Sequence, residues 1–162
     1  MIKYIVMDVD GTLTDGKIYM GNDGEIMKAF NIKDGCGIHD IAIPHGITPV
    51  IITGRLSKIV ENRCKELGIT ELHQRITNKS VKLKEIVEDI SEVAYIGDDL
   101  NDLEVMKLVK KAGGVVGCPL DAVDEVKQLA SFVAPHNGGD GAVRDFVEWL
   151  VKKDNKNSLI RK

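Results

Sequence analysis

The sequence predicts an α/β fold, a Rossmann-like parallel sheet with helices on both faces, in a single domain over residues 1–162. Three observations carry this expectation. Short apolar runs that read as strands alternate with amphipathic stretches at helical spacing. Three of these runs stop in polar clusters, at Asp8 and Asp10, at Thr53-Gly54-Arg55 and at Asp98-Asp99, and the carboxyl ends of parallel strands are where such sheets bind ligands. A chain of 162 residues, 43% hydrophobic and 29% charged, is long enough to close one core, and no repeat, low-complexity stretch or linker divides it.

The elements follow in order. Ile2 to Val9 reads as a buried strand stopped by Asp10-Gly11. Lys17-Ile18-Tyr19-Met20 and Glu25-Ile26-Met27-Lys28 flank Gly21-Asn22-Asp23-Gly24 as a β-hairpin, a small flap over residues 17–30. Cys36 to His45 reads as a helix ending near Pro44 and Gly46. Thr48 to Thr53 is a second strand, with Pro49 confining any pairing to its start. A helix after Gly54 places Leu56, Ile59, Val60, Cys64 and Leu67 on one face and stops at Gly68. Leu83, Ile86, Val87 and Ile90 line the next helix, and Val93 to Ile96 is a third strand. A helix through Leu103 and Met106, a strand near Gly114 to Val116, a helical turn at Val126 to Leu129 and a short strand at Ser131 to Val133 come next. Val143, Phe146, Val147 and Leu150 line the last helix, and the loss of periodicity over residues 152–162 predicts a loose tail.

Composition removes several function classes. Net charge is -3, aromatics are 4% and no basic stripe occurs, which argues against a nucleic-acid partner. Cys36, Cys64 and Cys118 are odd in number and form no CxxC pair, so they read as reduced thiols rather than a disulfide framework or zinc site. The opening residues carry no signal-peptide pattern, and no apolar run approaches the ~20 residues that span a bilayer. The expectation is a cytoplasmic protein without a membrane partner.

Four clusters carry chemistry. In Asp8-Val9-Asp10-Gly11-Thr12-Leu13-Thr14, two carboxylates at the point where a strand breaks into a loop suit a nucleophile and a proton donor for phosphoryl transfer. The plainer reading is an acidic turn. Thr53-Gly54-Arg55 offers a hydroxyl and exposed amides at a strand-to-helix junction, fit for a phosphate; the plainer reading is that Thr53 caps the helix. Lys79, ahead of a helix, suits the neutralisation of phosphoryl charge or a place on the surface beside Lys82 and Lys84. Gly97-Asp98-Asp99-Leu100-Asn101-Asp102 ends a strand with three aspartates, a hard oxygen site suited to Mg²⁺ or an acidic helix start.

In this order and spacing, the four clusters resemble the haloacid dehalogenase (HAD) superfamily of phosphotransferases. The resemblance implies a HAD-like fold with Asp8 as nucleophile, Asp10 as general acid and base, Thr53 holding the phosphoryl group and Lys79 screening charge. It also implies Mg²⁺ as cofactor, bound by Asp8, the main-chain carbonyl of Asp10, and Asp98, with Asp99 and Asp102 in support. The hairpin and one helix nearly fill the stretch from Asp10 to Thr53, and that from Thr53 to Lys79 is shorter still, so no cap domain fits either insertion point.

Phe30 to Ile38, Thr53-Gly54-Arg55 and Gly138-Gly139-Asp140-Gly141-Ala142-Val143-Arg144 narrow the resemblance to a capless family, the phosphatases of 3-deoxy-D-manno-octulosonate 8-phosphate (KDO 8-phosphate) in lipopolysaccharide biosynthesis. The implied partner is a small phosphorylated sugar acid, with Lys33, Gly54, Arg55 and Arg144 as candidate contacts. Asp140 stands where many relatives have arginine. Rival readings are a phosphatase of the nine-carbon KDN or N-acetylneuraminate 9-phosphates, in which a glutamate tends to follow Thr-Gly, and a non-catalytic HAD-like binding or oligomerisation domain. The family also implies a homotetramer, each flap packed on neighbours and the chain after Gly138 reaching an adjacent site.

Overall fold

The computed structural model describes residues 1–160, with side chains through Asn155. Among these residues, six parallel strands form one sheet in the order β5-β4-β1-β6-β7-β8: β1 (Tyr4–Met7), β4 (Thr48–Ile52), β5 (Glu71–His73), β6 (Val93–Ile96), β7 (Val115–Cys118) and β8 (Phe132–Val133). A separate antiparallel hairpin pairs β2 (Tyr19–Gly21) with β3 (Gly24–Met27). The expected α/β architecture with a hairpin flap is present.

The strands are buried on both faces, so the alternation along each one sorts its side chains between two cores. Ile5 and Met7 of β1, Ile51 of β4 and Ala94 and Ile96 of β6 pack on one side with Ile38, Val60, Cys64, Leu67, Val143, Phe146 and Leu150. Val6, Val50, Ile52, Val93 and Tyr95 face the other side with Leu83, Val105, Met106, Val109 and Val126. The first layer is thus α1 (Ile32–Cys36) with its continuation, α2 (Lys58–Leu67) and α6 (Ala142–Ile160). The second is α3 (Lys79–Ile86), α4 (Leu103–Lys111) and α5 (Asp124–Leu129).

Several boundaries depart from the sequence expectation. The helix read as Cys36 to His45 starts at Ile32, where the Asn31 side chain accepts from the Lys33 amide, and it continues as a π segment (Gly37–Ala42) and a 3-10 turn (Ile43–His45). Helix α2 starts at Lys58 rather than just after Gly54, because Ser57 accepts from the Val60 amide and takes the cap; Leu56 is left exposed. Helix α3 ends at Ile86, and Ile90 belongs to a separate 3-10 turn. Strand β5, with no apolar run of its own, was not foreseen.

Pairing of β4 is not confined to its start, as Pro49 suggested, but runs through Ile52. Thr48 donates to the Lys3 carbonyl on the β1 side, so the next residue faces the β5 side, where pairing begins only at Val50 with Glu71. The expected loose tail over residues 152–162 is instead helix through Ile160. Residues 161 and 162 lie outside the described residues. The segment after Gly138 does not leave the body either, since Ala142, Val143, Phe146, Val147 and Leu150 are all buried in their own chain's core.

The glycines ahead of α6 have a backbone role. A Cβ on Gly138 would lie 1.9 Å from the Gly11 carbonyl oxygen, and one on Gly139 2.5 Å from the Asp15 nitrogen. The Gly139 amide donates to the Thr12 carbonyl at 3.2 Å, and the Gly138 amide to Asp121 Oδ1 at 2.9 Å. Two loops therefore stack backbone on backbone, one of them carrying Asp10. Gly138→Ala should destabilise the fold by about 1–3 kcal/mol, the range of overpacking, because the blocking atom is main chain and cannot rotate away. Urea denaturation checks this; a change below about 0.5 kcal/mol, the range of a surface substitution, would contradict the stacking.

Candidate active site

Parallel pairing brings the strand ends level. Met7 of β1 is in register with Ile51 of β4 and Ile96 of β6, so Asp8, Thr53 and Asp98 emerge side by side at the carboxyl edge. Asp8, Asp10, Thr53, Gly54 and Arg55 line one cavity of about 480 Å³ together with Asp99, Leu100 and Asn101. At its floor Asp8 is buried, and Lys79 Nζ lies 3.0 Å from Asp8 Oδ1 and 2.7 Å from Asp102 Oδ1. Lys79 is the first residue of α3, whose start is set by Asn78 accepting from the Val81 amide at 2.9 Å.

Asp102 ties the network together. It is fully buried, accepts from the Tyr95 hydroxyl at 2.6 Å, and its Oδ2 takes the amides of Asp98 at 3.0 Å and Asp99 at 3.3 Å. Asp99 is exposed and accepts from the Leu100 amide at 2.7 Å, capping the turn that carries Asp102. Of the two supporting aspartates, Asp102 therefore orders the floor and Asp99 the rim. Asp98 Oδ1 accepts from Thr12 Oγ1 at 2.9 Å. Gly11, at φ +91°, permits this approach, since a Cβ there would lie 2.0 Å from Asp98 Oδ2.

Asp10 stands higher, between two cations. Lys28 Nζ meets its Oδ1 at 2.5 Å and Glu25 Oε1 at 2.7 Å, while Arg55 Nε lies 3.8 Å from Oδ2. Thr53 does not cap a helix, since Ser57 does; its amide donates to the His73 carbonyl at 3.0 Å and its side chain is buried at the cavity wall. Two expected substrate contacts are not brought to the cavity. Lys33 is exposed on α1, and Arg144 is held by Glu148 Oε1 at 2.6 Å while its amide donates to Asp34 Oδ1 at 3.0 Å, closing the start of α6. Thr12, Lys28 and Tyr95 are contributors that the sequence reading missed. Thr12 stood within the quoted DxDGT run, but nothing in pattern marks a lysine at a hairpin end or a tyrosine in a buried strand as polar partners.

The donor set fits Mg²⁺. Carboxylate oxygens of Asp8, Asp98 and Asp102 fall within 4.8 Å of one another, and Asp102 is already committed to Lys79, Tyr95 and two amides, which leaves Asp8 and Asp98. Burial and then the Asp102 charge push the Asp8 carboxyl up to about 6, against the pull of Lys79. Burial and then the Asp8 charge push Asp98 up to about 7, against its hydrogen bond from Thr12. Lys79 loses from burial but gains more from Asp8 and Asp102, so its ammonium stays charged above its ordinary range.

This sets a pH dependence. Without metal, folded Asp8 and Asp98 hold protons up to about 6 and about 7, whereas unfolded carboxyls release them near 3.8. The folded state then binds more protons across that window, so this contribution to stability falls as pH rises from about 3.8 to about 7. A cation replaces the protons, and the gain in Tm on adding Mg²⁺ should grow between about pH 5 and about pH 8 in thermal melts. A gain independent of pH would detach these carboxyls from the metal.

Comparison with known proteins agrees with this geometry. A sequence model of the haloacid dehalogenase-like hydrolases matches residues 71–146. The 3-deoxy-D-manno-octulosonate 8-phosphate phosphatase of Escherichia coli K12 is 43% identical over 159 residues, 96% of this chain and 82% of that one. The crystal structure of the phosphatase of the same name from Yersinia pestis superposes with a TM-score of 0.86 at 40% identity, covering 96% of this chain and 83% of that one. That from Moraxella catarrhalis, in complex with magnesium, phosphate and KDO, gives 0.86 at 35% identity, covering 99% and 92%. The chain belongs to the haloacid dehalogenase-like hydrolases, within the group that holds the 3-deoxy-D-manno-octulosonate 8-phosphate phosphatases.

Proposed function

We propose that this chain is a Mg²⁺-dependent phosphatase that hydrolyses KDO 8-phosphate to KDO and phosphate, a step of lipopolysaccharide biosynthesis. The observation that carries the reading is Asp8 at the cavity floor, paired with Lys79 and faced by Asp98, in a chain so similar to phosphatases of that name. Lys79 engages Asp8 Oδ1, and Oδ2 is the oxygen left to attack phosphorus. As that bond forms, the bond from phosphorus to the sugar oxygen breaks and Asp10 delivers a proton to the leaving oxygen. Asp10 then takes a proton from water, which attacks the aspartyl-phosphate; the Asp8–phosphorus bond breaks, and phosphate leaves. Thr53 and Gly54 line the wall where the phosphoryl oxygens would rest. Asp8 and Asp98, with the Asp10 carbonyl, would hold Mg²⁺, which neutralises phosphoryl charge that otherwise repels the attacking carboxylate. Arg55, half-exposed at the mouth, is suited to the carboxylate of the sugar acid, and within one chain it takes that role ahead of Lys33 and Arg144.

Phosphate release across a panel tests this. KDO 8-phosphate should exceed the nine-carbon 9-phosphates in kcat/KM by at least about tenfold, the scale of one well-placed contact. Asp8→Asn should lower kcat by about 10³-fold or more while the protein remains folded, and excess chelator should abolish turnover until Mg²⁺ is returned. A preference for the nine-carbon esters would move the substrate assignment, and an active Asp8→Asn would remove the nucleophile.

The assembly belongs to the same reading. Tyr19, Met20, Ile26, Met27 and Ile32 are exposed, an apolar surface around the hairpin that association of copies would cover, and a homotetramer closing over each cavity supplies the missing cap. Sedimentation at micromolar concentration decides: a tetramer is expected, and a fully active monomer would rule the shared closure out.

A further inference from the structure

Lys28 belongs to no motif, follows the last residue of β3, and has a side chain with no solvent exposure at all. The hairpin around it is largely open, with Met20 60% and Ile26 66% exposed. A fully buried lysine is rare unless its charge is met, and both of its partners are acidic: Asp10 Oδ1 at 2.5 Å and Glu25 Oε1 at 2.7 Å. Glu25 lies on the hairpin itself, whereas Asp10 lies on the loop after β1. The ammonium therefore bridges the flap and the carboxylate that exchanges protons. Because it engages Oδ1, the oxygen left toward the cavity is Oδ2, on the side where Arg55 approaches to 3.8 Å.

We propose that Lys28 is a positioning residue for Asp10, and that seating the hairpin is what aims the Asp10 carboxyl at the leaving oxygen. The inference rests on the phosphatase reading above. Lys28 touches no reacting atom in it. With Lys28 in place, the Oδ2 proton passes to the sugar oxygen as the phosphorus–oxygen bond breaks and the phosphorus–Asp8 bond forms. Without it, Asp10 has no fixed direction, and the leaving group departs unaided. An activated leaving group tolerates this; an alkoxide does not.

The test is kcat/KM for the full-length protein with Mg²⁺ on KDO 8-phosphate and on aryl phosphates of graded leaving-group acidity, from phenyl to p-nitrophenyl. This parameter covers steps through loss of the leaving group. For Lys28→Met the expected loss is about tenfold or more on KDO 8-phosphate and phenyl phosphate and under about threefold on p-nitrophenyl phosphate, a part of the 10²–10⁴-fold that a general acid supplies. Asp10→Asn should show the same steepening, more strongly, and Lys28→Arg should recover most of the loss. Lys28→Met and Asp10→Asn should not be additive in the double variant. A loss uniform across the aryl series would make Lys28 a structural staple, and a loss confined to the sugar ester would make it a substrate contact; either overturns the proposal and leaves the phosphatase reading intact. A wild-type protein that hydrolyses none of these esters removes the reaction itself and the proposal with it.

Discussion

A single ammonium group, that of Lys79, is shared by two buried carboxylates, and the arrangement of the site follows from satisfying all three. Leaving any one of them alone in the interior costs about 3–5 kcal/mol, so each is bound to the others by more than its own pairing. Asp102 spends its second oxygen on the amides of residues 98 and 99, which fixes where the chain turns after β6. Gly97 must lack a side chain for this to happen, since a Cβ would lie 2.4 Å from the Asp102 carboxyl carbon. Tyr95, one turn of the pleat earlier, reaches the same carboxylate from within the sheet. The two carboxylates still outnumber the one cation, and with Asp98 alongside the balance is more negative again. That excess is what a divalent ion relieves.

The site thus has two halves with different mechanical character. Asp8, Asp98, Asp102 and Lys79 stand at strand ends or at a capped helix start, and packing on both faces of the sheet immobilises their backbones. Asp10, Arg55 and Lys28 come from loops and a hairpin, where Asp10 and Arg55 are partly open to solvent and Lys28 is buried between its acidic partners. Bond formation to phosphorus requires a nucleophile held still. Proton transfer and the gripping of a sugar acid require groups that admit the ligand and then close on it.

Much of this was legible in the sequence, for identifiable reasons. Strands buried on both faces write themselves as apolar runs, and their abrupt ends place Asp8, Thr53 and Asp98 at one edge. Lys79 was harder: its composition and neighbours suit a surface lysine, and only the fold turns it inward. Lys28 and Tyr95 left no pattern, because a buried polar contact across distant segments has no period. The start of α2 was misplaced since Thr53 and Ser57 are equally plausible caps, and the choice between them is made by where β4 must end. Lys33 and Arg144 follow from the resemblance and from the cations a sugar acid calls for; within one chain Lys33 is exposed on α1 and Arg144 pairs with Glu148.

The close approach of Gly138 to the Gly11 carbonyl ties the segment ahead of α6 to the loop after β1. Strand β1 precedes the other strands of the sheet in sequence, yet it lies in the middle of the sheet, and the loop that follows it is backed by a segment more than a hundred residues later. Asp8 therefore emerges from the ribosome long before the structure that holds the loop after it in shape. A nascent chain carries the four acidic and basic groups of the floor as soon as α4 is out, but a finished site arrives only with the last helix. A chain that stops between Asp102 and residue 138 consequently carries all four polar clusters and leaves the loop after β1 unsupported.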